Sequence, residues 1–222
     1  MSGDNATLRW VPLESNPELF TEWSKSLGLD TSQYAFHDIY GLDAELLSIV
    51  PQPVQAVLLL FPISEAYERK RREDDELIGN ACGTIGLLHA ISNTQAVQAI
   101  STNSALHKLL QSARPLSPHA RAQLLQSSRE LASAHSTAAS SGQSAAPTIE
   151  DAVDLHFVAF VRDADGELAE FDGRRKGVVR RGVRVEKQQD LLQQAARWIK
   201  ENYMTLSPDS LNFNLIALGP AS

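Results

Sequence analysis

The chain of 222 residues holds one cysteine, Cys82, in the stretch GNACGTIGLLHAI. Asn80 is a residue type that caps helices, so a helix starting here carries Cys82 in its first turn. The partial positive charge of a helix N-terminus favours thiolate over thiol, which prepares a cysteine for nucleophilic attack. Gly79 and Gly83 leave room for a bulky chain to approach. A lone buried cysteine is more often a packing residue than a nucleophile, so this segment alone leaves both readings open.

A nucleophilic cysteine needs a base, and the base needs an orienting group. The stretch HFVAFVRDADGELAEFDGR reads as two strands around an Asp-Gly turn. Folded about Ala164, the hairpin sets His156 opposite Asp172 to within a residue. Directly opposed residues have Cβ atoms about 4.5–5.5 Å apart, near enough for a carboxylate to orient an imidazole. The plainer alternative is a histidine satisfied inside a sheet. His89 lies two helical turns beyond Cys82 and points away from its end. His37, His107, His119 and His135 fall in turns or on helices with no strand-borne acid. There is no HExxH, CxxC or phosphate-cradling glycine loop, and no metal or cofactor is expected.

Elements must bring these side chains together. Strand patterns rich in β-branched and large apolar residues occupy 56–61, 154–161, 167–171, 177–183 and 212–218. Helical periodicity covers 17–27, 64–78, 81–92, 103–112, 118–134 and 187–202. Asn16-Pro17 is a helix start, a cap followed by proline at the first helical position. Strands clustered late, without βαβ alternation, predict an α+β fold with a mostly antiparallel sheet. The run from Glu65 to Glu76 pairs each basic residue with an acid four positions on or back, as a solvated helix face does, and its acids outnumber its bases. Residues 136–147, STAASSGQSAAP, read as a mobile loop, and a long loop within a domain is more often functional than not.

Composition sets the outer limits. Hydrophobic residues make up 43% and charged residues 21%, enough to bury a sizeable core in a single domain over 1–222. A net charge of −7 speaks against binding a nucleic-acid backbone. The longest apolar stretch, Ala56 to Phe61, is far too short to cross a bilayer, and the polar start MSGDNATLRW does not read as a signal peptide. One unpaired thiol suits a reducing compartment, the cytoplasm or the nucleus.

Taken together these segments resemble the ubiquitin C-terminal hydrolases, papain-like cysteine deubiquitinases, and most closely their short single-domain members. The resemblance runs through RWVPLESNPE, DIYGLDAELLSIVP, AVLLLFP, NACGTIGLLHAI, APTIEDAVDLHFVAFV, ELAEFDGR and LNFNLIAL. It implies a papain-like fold, with a central sheet flanked by helices and a flexible crossover loop over residues 136–150. It implies Cys82 as nucleophile, His156 as general base and acid, and Asp172 as the orienting residue. The partner it implies is ubiquitin, or a ubiquitin-like modifier, met by a monomer and cut after its last glycine through a Cys82 thioester. Threading beneath the loop would favour small adducts and short peptide extensions.

One departure stands out. The family carries a glutamine six residues before the nucleophile, on a strand, where its amide helps hold the oxyanion together with a backbone N–H at the cysteine. Here that position is Glu76, and the charged helix runs directly into ELIGNAC without the expected strand. A catalytically impaired ubiquitin-binding protein, or a product lacking an internal segment, is therefore the alternative to an active hydrolase.

Overall fold

The computed structural model describes residues 10–65, 67–68, 81–142, 154–175 and 177–221. Glu76, Gly79, Asn80, most of the charged run and the later part of the expected crossover loop lie outside the described residues. The first helix, α1 (Pro17–Leu27), has the predicted bounds. The Asn16 side chain accepts from the N–H groups of Glu18 and Leu19 at 2.9 and 3.1 Å, and Gly28 ends the helix at a φ of 114°. A side chain at Gly28 would also collide with Ser104, so only glycine fits this cap. After it come β1 (Tyr34–Asp38), α2 (Ala44–Ser48) and β2 (Ala56–Pro62).

The Cys82-bearing helix α3 (Cys82–Ser92) follows, then α4 (Ala105–Ala113), α5 (Pro118–Ser127) and α6 (Arg129–Ser140). The C-terminal third supplies β3 (Leu155–Arg162), β4 (Glu167–Asp172), β5 (Val179–Arg184), α7 (Leu191–Asn202) and β6 (Asn214–Pro220). The six strands form one sheet in the order β1-β6-β2-β3-β4-β5, every pair antiparallel. This is the α+β fold expected from the clustering of strands.

The sheet is covered on both faces, which explains why β2 reads as an unbroken apolar run rather than an alternation. Alternate residues go to opposite sides. Ala56 and Leu58 join Phe157, Ala159 and Val161 beneath α1 and α3. Val57, Leu59 and Phe61 join Val158, Phe160 and Leu168 beneath α7, which buries Leu191, Leu192, Ala195, Ala196 and Ile199. That spacing is a helical stripe of period 3.6.

Two expectations need correction. The helix predicted over 118–134 breaks at Ser128, whose hydroxyl accepts from Leu131 N–H at 3.2 Å and starts a new helix. That helix then runs to Ser140, through the first residues of the loop predicted over 136–150. Ser/Ala composition suggested mobility, but alanine is the strongest helix former, and Ala138 and Ala139 pack into the core. β1 and α2 have no counterpart in the sequence reading.

Candidate active site

Cys82 occupies the first position of α3 and is partly exposed. The residue before it is Ala81, with no side-chain oxygen to offer; the expected cap, Asn80, lies outside the described residues. The first N–H groups of a helix have no intrahelical partner, and Ala81 has no side-chain acceptor for them. Gly83 does not open a channel. A Cβ there would lie 3.2 Å from Leu13 and 3.4 Å from Phe157, and one at Gly86 would lie 3.1 Å from Leu58. Small residues on this face let α3 press against the sheet, which sets the height of Cys82 above it.

His156 and Asp172 are both buried, and both point to the face carrying Phe61, Tyr67 and Tyr203. The hairpin register pairs Val158, not His156, with Asp172. The turn is centred on Asp165, one residue beyond Ala164: Asp163 N–H donates to the Glu167 carbonyl, and Gly166 N–H donates back to the Asp163 carbonyl. The shift is two residues, an even number, so His156 and Asp172 stay on one face as diagonal neighbours. The His156 Nε2–H donates to Asp172 Oδ1 across 2.7 Å.

Asp172 is held from several sides. Arg174 N–H donates to Oδ1 at 2.9 Å, which is the turn an aspartate before glycine makes with its own backbone. The Tyr67 hydroxyl donates to Oδ2 at 2.8 Å, and Arg175 Nε approaches the same oxygen at 3.5 Å. Burial by itself would raise this carboxyl's pKa. The bond from His156, its charge, the Arg174 N–H and the Tyr67 hydroxyl outweigh burial and hold it well below the usual carboxylate range.

On the imidazole the balance runs the other way. Burial pushes His156 down, but the bond to Asp172, the approach of Cys82 and the negative charge of both raise it to about 9. Nδ1 makes no hydrogen bond of ordinary geometry and is buried. One ring nitrogen is fixed by a carboxylate and the other is free beside a sulfur. Such an arrangement can accept and return a proton at a thiol nucleophile.

A family model described as ubiquitin carboxyl-terminal hydrolase, family 1, matches residues 10–205. The chain belongs to that family. It is 39% identical to ubiquitin carboxyl-terminal hydrolase 3 of Arabidopsis thaliana, over 98% of this chain and 97% of the relative. It is 34% identical to the rat ubiquitin carboxyl-terminal hydrolase isozyme L1, over 95% of this chain and 98% of the relative. The fold is also that of the Trichinella spiralis UCH37 catalytic domain bound to ubiquitin vinyl methyl ester. That comparison has a TM-score of 0.77 at 22% identity and covers 98% and 99% of the two chains.

The structure brings Cys82, His156 and Asp172 together from three separate elements. Glu76, the position of the family's oxyanion glutamine, lies outside the described residues. The remaining histidines do not enter the site. His89 packs on the Phe171 ring at 5.0 Å, and His37 Nε2 bonds to the Pro220 carbonyl oxygen at 2.9 Å. Sequence reasoning passed over Tyr67 because it lies in a charged run that reads as solvated surface. It also passed over His135. That ring is buried on α6, with Nδ1 accepting from the Thr84 hydroxyl at 2.8 Å and Nε2–H donating to the Val11 carbonyl at 2.7 Å. No strand-borne acid marks it, and its partners lie 51 and 124 residues away.

Proposed function

We infer that this chain is a cysteine deubiquitinase that releases small adducts or short peptide extensions from the C-terminal glycine of ubiquitin. The observation that carries it is the buried His156, tied to Asp172 through Nε2, with Nδ1 left free beside Cys82. Family membership supplies the substrate class. The net charge of −7 suits a partner with a basic face.

In this reading Cys82 and His156 work as a thiolate–imidazolium pair. The thiolate attacks the carbonyl carbon of the last glycine and gives a tetrahedral oxyanion. The N–H groups in the first turn of α3, that of Cys82 among them, have no intrahelical partner and are donors suited to that charge. The C–N or C–O bond to the leaving group breaks as His156 passes its proton to the departing atom. A thioester joins ubiquitin to Cys82. Neutral His156 then takes a proton from water, the hydroxide attacks the thioester, and the thiolate leaves with the imidazolium restored. Asp172 stays ionised throughout and holds the ring.

All three groups lie in one chain, so a monomer suffices for the chemistry, and the unpaired cysteine suits a cytoplasmic or nuclear setting. Ubiquitin-like modifiers with the same glycine terminus are further candidate substrates. The test is turnover of a ubiquitin C-terminal fluorogenic amide. The parent is expected to turn it over and Cys82→Ala to be silent; a folded parent with no turnover would remove the hydrolase reading.

A further inference from the structure

Asp172 has a third side-chain partner that the thiol mechanism does not require. Tyr67 is 4% exposed, and its hydroxyl donates to Asp172 Oδ2 at 2.8 Å, the oxygen that His156 does not use. Its ring is fixed edge-on to Phe61 at 4.7 Å and lies 6.0 Å from Tyr203. Its backbone is fixed as well, since Tyr67 N–H donates to the Ser64 hydroxyl at 3.2 Å. The next residue, Glu68, lies 3.7 Å from Arg174 in the turn after Asp172. Two adjacent residues therefore clasp the end of β4.

We propose that Tyr67 is a positioning residue for catalysis: its hydroxyl locks the Asp172 carboxylate in the rotamer that presents Oδ1 to His156. The proposal rests on the reading of Cys82, His156 and Asp172 as the catalytic set. A carboxylate bonded through one oxygen alone can swing about its terminal torsion, which is broad. With Tyr67 on Oδ2 and the Arg174 N–H on Oδ1, both oxygens are assigned. The charged and titratable groups around the phenol are Asp172, Glu170, Arg175 and Tyr203. Burial first, then the negative charge of Asp172, keep the phenol protonated far above neutral pH, so it remains a donor wherever the enzyme works.

The test is Tyr67→Phe, which keeps the ring and removes the hydroxyl, assayed with the fluorogenic ubiquitin amide. Expected is a fall in kcat of about ten-fold, the size of one lost hydrogen bond, with KM unchanged. The alkaline edge of activity should move to higher pH, because Asp172 with one donor fewer holds the proton on His156 more tightly. In an Asp172→Ala background the same change should cost nothing further, since the coupling partner is gone. Activity within two-fold of the parent with an unmoved alkaline edge overturns the proposal. So does a repeated ten-fold loss in the Asp172→Ala background.

If Tyr67→Phe fails to fold, 3-fluorotyrosine placed at position 67 keeps the packing and makes the phenol a stronger donor. The downfield NMR signal of the His156 Nε2–H is then expected to shift, and an unmoved signal overturns the proposal. Cys82→Ala is run alongside. Residual turnover there sinks the catalytic reading itself, whereas a dead Cys82→Ala beside a parent-like Tyr67→Phe sinks only the role of Tyr67.

Discussion

Lowering the pH should destabilise this fold well before its carboxylates titrate, and His135 is a main cause. Its ring is 3% exposed, 4.4 Å from the Trp10 ring, and bonded to Thr84 and the Val11 carbonyl, with no acid paired to it among the described residues. Burial pushes its pKa down to about 4, against the partial opposing effect of the Val11 carbonyl. The ordinary value in an unfolded chain is about 6.5.

Above pH 6.5 the ring is neutral folded and unfolded, and no penalty exists. As the pH falls from about 6.5 to about 4 the unfolded chain binds a proton that the native state refuses, and stability drops. The loss is about 2 kcal/mol at pH 5 and about 3 kcal/mol at the bottom of the window. His89, also pushed to about 4 by burial, adds a second proton to the same window. Asp172, held low, loses its contribution only below the ordinary carboxylate range, and His156, raised to about 9, contributes fully throughout.

The assay is reversible urea unfolding of the parent and His135→Gln at half-unit steps from pH 7.5 to 4.5. The variant should start about 1–3 kcal/mol less stable, having lost buried hydrogen bonds, and then fall less steeply, so that the two curves converge. Parallel curves would refute the assignment of the acid sensitivity to His135.

Three further outcomes follow from the site. Asp172→Asn should fold and bind ubiquitin but lose at least about 10²-fold in kcat, since general acid–base catalysis by an oriented imidazole contributes on that scale; parent-like kinetics would contradict the orienting role. The alkaline edge of kcat/KM should lie near pH 9, where His156 gives up the proton that the leaving group needs, an apparent value belonging to the Cys82–His156 pair; an edge two units lower would contradict the raised imidazole. A Cβ at Gly173 would lie 2.8 Å from Ile85 Cγ2 and 3.2 Å from its Cδ1, so Gly173→Ala should cost about 1–3 kcal/mol by overpacking, and Ile85→Ala, which removes both atoms, should add less to that cost than it costs the parent in thermal melts.

What could be seen in the chain beforehand follows from where each signal was stored. Helix α1 carries its own start and stop, Asn16-Pro17 and Gly28, so its bounds were legible. The strands β2, β3 and β6 carry apolar runs that announced themselves, and β4, ELAEFD, was marked by the Asp-Gly turn before it. β1 did not, because Tyr34–Asp38 buries only Phe36 and becomes a strand by pairing with β6, some 180 residues away in sequence. The hairpin register was misplaced by two residues, yet the His156–Asp172 pair survived because strand faces repeat every second residue. Tyr67 and His135 had no local mark. Their roles arise from partners on β4, α3 and the N-terminal segment, which only the packed structure brings near. The split of α5 from α6 turned on one hydroxyl, Ser128, inside a stretch whose periodicity continued through it.

The central claim is that the sulfur of Cys82 attacks the terminal carbonyl of ubiquitin. Because the chain has one cysteine, incubation with a ubiquitin C-terminal electrophile followed by intact-mass and peptide analysis gives an unambiguous answer. The expected result is one added ubiquitin, mapped to Cys82, forming faster in the folded parent than in His156→Ala. No adduct on the folded parent, or equal labelling of parent and His156→Ala, would contradict it.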